Sequence, residues 1–299
     1  MLDHREMETL IAIVDGQSFD NAARQLNISP GAVSQRIKSL ENRIGHSVLV
    51  RSTPPQTTEV GKQVLSYARR MLLLQNELSL ALKQDTDRNS LSLAIAVNHD
   101  SLSCWFMEVV EGFSDQPQLS FDIRTSNTIS TQELLRNGDV IAAITSKANH
   151  IGGCKTRYLG QLEYVPVCSP AYFERYFKAG VGKEQLDLAP VAIFDRDDDL
   201  VDRFLSLYDV KHKQQRTHYF PSSHVLLDAV KHGLAWTMLP KLLMESRRDK
   251  SEIVTFDPQS IFVELYWNTW EQTSEIISKI EKQVLTIADK KLVHSCNVS

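Results

Sequence analysis

The chain has 299 residues, enough for two domains that each bury a core of their own. A hydrophobic fraction of 42%, a charged fraction of 23% and a net charge of −4 fit a folded soluble protein and exclude a polycation, so any nucleic-acid contact must come from a local patch. The four cysteines (Cys104, Cys154, Cys168, Cys296) form no C-x-x-C pair, the start MLDHREMETL is charged where a signal peptide is apolar, and no segment reaches the roughly 18 apolar residues of a membrane span. These features predict reduced thiols, a cytoplasmic location and no membrane partner.

Residues 3 to 51 are dense in helical periodicity. Asp3 or Glu6 precedes a first helix with Met7, Leu10, Ile11 and Val14 on one face, ended by Gly16. Asp20 is placed to cap a second helix, in which Ala22, Ala23 and Leu26 permit close approach to a neighbour. Ser29-Pro30 starts a third, since serine accepts backbone N–H bonds and proline suits a first turn. There Val33, Ile37, Leu40 and Ile44 share a face, while Gly31, Gln35, Lys38 and Asn42 lie nearly opposite, flanked by Ser34 and Ser39. Small hydrogen-bonding side chains facing outward suit the donors and acceptors of a major groove. Between residues 18 and 51, five basic side chains (Arg24, Arg36, Lys38, Arg43, Arg51) oppose two acidic ones (Asp20, Glu41), a local excess of three positive charges. RSTPPQTTE, residues 51–59, is a proline-stiffened loop in the place of a wing. Periodicity and charge alone fit equally well a polar-faced helical cluster that never meets DNA.

Residues 58–83 form one long amphipathic pattern with Thr58 as its cap, and Val60, Val64, Leu65, Ala68, Met71, Leu72, Leu78 and Leu82 as its apolar stripe. Such a helix is expected to bury that stripe against another helix, plausibly its own copy. DTDRNS, residues 85–90, then reads as a hinge. Strands follow at 91–97, 119–124, 140–145, 163–169, 190–194, 217–220, 235–239 and 263–267, with helical patterns around 101–114, 130–137, 222–232 and 270–290. The alternation predicts an α/β domain with largely parallel sheets and a ligand crevice beyond the strand ends.

The run AARQLNISPGAVSQRIKSLENRIGHSVLVRSTPPQTTEVG resembles the winged helix-turn-helix of LysR-type transcriptional regulators, and the order long helix then α/β domain is that family's order. VNHDSL, LLRNGDVIAAI, LAPVAIFDRDD, GLAWTMLPKLL and ELYW further resemble its lysine- and arginine-responsive ArgP branch. The resemblance implies a winged helix-turn-helix over 1–57, a dimerisation helix over 58–84, a hinge over 85–90 and an effector-binding domain over 91–299 resembling periplasmic binding proteins. Its first subdomain would span about 91–163 and 268–295, its second about 164–265. Implied partners are double-stranded DNA, a small-molecule effector such as a basic amino acid, further copies of the chain as dimer or tetramer, and RNA polymerase. Two departures stand out: Pro30-Gly31 occupies the place of a base-reading polar residue, and Arg124-Thr125-Ser126-Asn127 replaces an acidic cluster carried by the branch.

Ser34 and Gln35 are the candidates for base edges, and Ser29, Arg36, Lys38, Arg51 and Thr53 for phosphate. For the effector, Asn98, Asp100 and Ser101 sit at a strand-to-helix turn that favours a carboxylate. Asp100 and Asp195 could meet a cationic side chain; Thr125, Asn127, Thr145 and Ser146 follow other strands. No G-x-S-x-G elbow, phosphate loop, H-x-x-x-H or H-E-x-x-H pair occurs, so neither an enzyme nor a metal or cofactor is expected. The run Asp195 to Asp199 reads as a solvated turn. The remaining alternative is a small-molecule-binding module whose N-terminal helices only dimerise it.

Overall fold

The computed structural model describes residues 3–50, 52–82, 91–125, 128–148, 152–211, 215–245, 252–271 and 274–294; Arg51, Asn127 and the expected hinge at 85–90 lie outside them. The N-terminal helices are α1 (His4–Gly16), α2 (Phe19–Leu26) and α3 (Pro30–Ile44), followed by β1 (Leu49–Val50) and β2 (Gln56–Thr57), which pair antiparallel as a wing. Asp3 caps α1 by accepting from Arg5 N at 2.9 Å, and Ser29 caps α3 by accepting from Ala32 N at 3.2 Å. The cap of α2 is Ser18 rather than Asp20: its hydroxyl accepts from Asp20 N at 3.2 Å, which leaves Asp20 in the first turn, where a negative charge suits the helix dipole. Leu10, Ile13, Ala22, Ala23, Val33, Ile37 and Leu40 interlock as one core.

Helix α4 (Glu59–Ala81) begins on Thr58, whose Oγ1 accepts from Gly61 N at 2.9 Å and donates to Ser47 O at 2.7 Å. Only glycine fits at 61, because a Cβ there would lie 1.9 Å from Val48 O. Leu65 and Ala68 are buried, whereas Tyr67, Met71, Leu74, Leu78 and Leu82 are exposed on another face at four- and three-residue steps. The predicted stripe therefore divides between two faces: Val64, Leu65 and Ala68 turn inward while Met71, Leu78 and Leu82 turn outward, and Leu73, outside that stripe, joins the α/β core.

Beyond it the chain forms β3 (Leu91–Val97), α5 (His99–Ser101), a π-helical turn Leu102–Phe106, α6 (Met107–Glu111), β4 (Leu119–Thr125), α7 (Thr128–Arg136), β5 (Ala142–Thr145) and the 15-residue β6 (Cys154–Cys168). Then come α8 (Pro170–Tyr176), α9 (Lys183–Leu188), β7 (Val191–Ile193), α10 (Leu200–Ser206), β8 (Thr217–Tyr219), α11 (Ser223–Lys231), β9 (Thr237–Pro240), α12 (Lys241–Glu245), β10 (Val254–Thr255), β11 (Ile261–Trp270) and α13 (Glu275–Lys291). One sheet has the order β10-β6-β11-β5-β3-β4, with β9 also on β6, and β7 pairs separately with β8.

The largely parallel sheet expected from the alternation is instead mixed. β4, β3 and β5 are parallel, as are β7 and β8, but β11 runs antiparallel to both β5 and β6, and β9 and β10 run antiparallel to β6. The reason is that β6 carries the chain across the molecule and β11 carries it back alongside. Both are longer than their hydrophobic patterns, because a register shift between Leu265 and Tyr266, opposite Gly160, breaks the alternation. Trp105, Trp236 and Trp267 are buried in the α/β core.

Candidate functional site

Two surfaces carry recognition chemistry. On the first, Ser34, Gln35, Lys38 and Asn42 are exposed along the outer face of α3, opposite buried Val33, Ile37 and Leu40. Thr53 is exposed between the wing strands. Ser29 spends its hydroxyl as the α3 cap. Arg36 is half-buried and its Nη1 donates to Thr9 Oγ1 at 3.3 Å, so it is drawn toward α1 rather than standing free on the outer face. Arg43, counted in the basic patch, is paired with buried Glu6 at 3.3 Å, and Ser39 donates to the same carboxylate at 2.5 Å. These contacts fix the tilt of α3 on α1. Exposed Arg24 donates to Asn21 Oδ1 at 2.8 Å.

The second surface is a cavity of about 570 Å³ where β3, β5 and β7 end and the middle of β6 passes the start of α10, within the size range of small-molecule sites. Asn98, Asp100, Ser146 and Asp195 line it, as the strand-end argument predicts. The Asp100 carboxyl is enclosed by its neighbours. Tyr164 on β6 donates its hydroxyl to Asp100 Oδ2 at 2.6 Å, and Ser223 at the start of α11 donates to Oδ1 at 3.3 Å. Burial raises the Asp100 carboxyl above its ordinary value in spite of both hydrogen bonds. The same burial raises the Tyr164 phenol. His99 and Phe194 meet across the wall with ring centroids 4.9 Å apart. The side-chain oxygen Oδ1 of Asn98 is buried without a hydrogen-bond partner.

The structure does not bring every candidate to this wall. Ser101 is fully buried behind it, and Thr145 is buried, donating to Lys147 O at 3.0 Å and accepting from Asn268 Nδ2 at 2.9 Å. Thr125 is exposed at the end of β4, away from the lining. Conversely, His99, Lys147, Tyr164, Phe194, Arg203 and Glu264 line the cavity without having been singled out. The run Asp195 to Asp199, expected as a solvated turn, supplies Asp195, Asp197, Asp198 and Asp199 to the wall. Asp198 accepts from Leu200 N at 3.0 Å at the start of α10, and burial pushes its carboxyl up to about 6. Six carboxylates (Asp100, Asp195, Asp197, Asp198, Asp199, Glu264) thus face two cations, Lys147 and Arg203, and Arg203 also donates to Phe262 O at 2.8 Å. The cavity is an acidic one.

Among the described residues no cluster of His, Cys, Asp and Glu is arranged to hold a metal, and no helix is long and apolar enough to cross a membrane.

A helix-turn-helix with a wing, joined by a long helix to an α/β domain with a central cleft, defines a ligand-responsive DNA-binding regulator. Residues 4–62 match the family model of the bacterial regulatory helix-turn-helix protein of the lysR family, and residues 86–272 match that of the LysR substrate binding domain. The chain belongs to the LysR family: it is a DNA-binding transcriptional regulator, not an enzyme. This assignment overturns the alternative in which the N-terminal helices only dimerise. It is 34% identical over 293 residues to the transcriptional regulator ArgP of Vibrio vulnificus strain YJ016, covering 97% of this chain and 98% of that protein. Among solved structures, ArgP from Mycobacterium tuberculosis superposes with a TM-score of 0.87 at 32% identity, over 99% of this chain and 100% of that one. LysG from Corynebacterium glutamicum with bound effector Arg superposes with a TM-score of 0.78 at 31% identity, over 97% and 99%.

Proposed function

We propose that this regulator is controlled by a basic amino acid of the arginine class, bound in the acidic cleft. One observation carries the reading. Asp100 is a buried carboxyl with its charge opposed by desolvation, in a wall where carboxylates outnumber cations six to two. A guanidinium or ammonium group would neutralise it and form short charge-assisted hydrogen bonds. The ligand's carboxylate would take Lys147 and the backbone N–H groups at the start of α5, and its amino group Asn98 Oδ1. The effector Arg bound by the similar LysG supports the same class.

In this reading, residues 1–57 read DNA and 91–299 read the effector, as two subdomains of about 91–163 with 268–295 and about 164–265. Ser34 and Gln35 face base edges, Lys38 and Thr53 face phosphates, and Arg36 approaches the backbone only by leaving Thr9. Arg51, outside the described residues, is kept in the set on its place in the sequence. In the exposed stripe, Tyr67, Met71, Leu74 and Leu78 have the alternating four- and three-residue seam spacing of a two-stranded coiled coil, with Leu82 one residue past the next seam position, which supports 58–84 as the dimer contact. Bound beside a promoter in the cytoplasm, such a dimer or a tetramer built from it would act on RNA polymerase.

The test is a thermal-shift screen of the twenty amino acids on purified protein, followed by footprinting with each hit. Stabilisation by arginine or lysine together with an altered footprint is expected. A screen led by acidic or aromatic amino acids would sink the reading.

A further inference from the structure

Outside the cleft, one side chain on α4 holds both halves of the chain. The guanidinium of Arg69, 14% exposed, has three acceptors on two modules. Nη2 is ion-paired with Asp15 near the end of α1, in the helix-turn-helix. Nη1 donates to Asp139 Oδ1 at 2.5 Å and to Gly138 O at 2.9 Å, both in the loop between α7 and β5. A planar fork of divergent donors spans all three from two separate nitrogens, whereas the donors of an ammonium radiate from a single atom. The loop is seated hard on the helix: Gly138 has φ +70°, and a Cβ there would lie 2.3 Å from Ser66 Cα, one turn before Arg69. Next along α4, the Arg70 guanidinium lies 4.2 Å over the ring of Trp270, the last residue of β11.

Both contacts lead to the cleft. β5 starts three residues past Asp139 and ends at Thr145, beside cleft residue Ser146. β11 starts beside cleft residues Phe262, Val263 and Glu264 and ends at Trp270. The two strands are hydrogen-bonded, Thr145 opposite Tyr266 through Ala142 opposite Thr269, so they form one stiff unit with cleft residues at one end and α4 contacts at the other. We propose that Arg69 is a positioning residue that couples the cleft to the helix-turn-helix, by tying the start of that strand pair to α1 through Asp139 and Asp15. Coupling between sites is reciprocal, so DNA on α3 must be felt at 137–145 as surely as cleft occupancy is felt at α1.

Hydrogen exchange on the full-length protein tests this with a random-sequence DNA duplex at low salt as the probe. In the wild type the duplex lowers exchange over the N-terminal helices and also over 137–145. In Arg69→Gln, and independently in Asp139→Ala, the response at 137–145 is lost while that of the N-terminal helices persists; Arg69→Lys, which keeps one of the contacts, restores part of it. A scaffold without coupling would leave the duplex response of 137–145 intact in both variants, and that result, or a wild type whose 137–145 segment ignores the duplex, overturns the proposal. The experiment uses no amino acid, so failure of the arginine reading leaves its outcome unchanged.

Discussion

The outer face of α3 and the cleft are two recognition surfaces built on opposite plans. The α3 surface comes from one helix: Ser34, Gln35 and Lys38 stand in water, and their positions follow from a single 3.6-residue period. The cleft draws on residues from 98 to 264, gathered by β3, β5, β6, α10 and β11, and it buries the carboxyl it depends on. An exposed face can be retuned by changing a side chain, with little effect on folding. A buried one couples ligand, proton and stability through the same atoms.

That contrast is most sharply broken at Asp100. Asp100→Asn should weaken arginine binding by about 3 kcal/mol, roughly a hundredfold, because the cation loses a desolvated partner. The ligand-free protein should become no less stable, since the amide avoids the burial cost of the carboxylate. Calorimetry and thermal unfolding of the variant check both halves. Next in size, Gly61→Ala should cost about 2 kcal/mol in chemical unfolding, because its methyl group meets Val48 O and forces the wing from α4.

Proton linkage distinguishes the surfaces more finely. The Asp198 carboxyl, raised to about 6, favours the ligand-free fold below its ordinary value of 3.8, and that contribution is lost as pH rises through about 6. A cationic ligand needs the ionised form, so affinity should fall with falling pH by up to about tenfold per unit below about 6. Asp198→Asn should remove the Asp198 share of that slope and leave the share of Asp100, whereas DNA binding through α3 should show no matching step. The smallest effect expected is at Lys38. Lys38→Ala should weaken all duplexes about equally and lower the salt slope by about 1, measured by anisotropy across a salt series.

The same contrast governs what was legible in the sequence. In the N-terminal module the caps, the buried stripe of α3 and the wing are local, and Ser29, Pro30 and Thr58 announce them within four residues of where they act. The exchange of Ser18 for Asp20 as a cap is a shift of two residues between equally good acceptors. In the cleft, Asn98, Asp100, Ser146 and Asp195 were legible because they follow strand ends within a few residues. Tyr164 and Ser223 were not, because their role is fixed by a contact with Asp100 from 64 and 123 residues away. The acidic run at 195–199 carried a signal, an unusual density of like charge after a strand, but only burial distinguishes a ligand wall from a solvated turn. The mixed sheet escaped because strand direction is set by long-range pairing, which alternation does not encode.

The most direct test of an acidic cleft that senses a basic amino acid is a calorimetric titration of the full-length protein with L-arginine and, in the same buffer, with L-citrulline. The two differ in the charge of the side-chain terminus and little in shape. Saturable binding of arginine with no measurable binding of citrulline is the predicted result; equal affinity for both, or binding of neither, contradicts it.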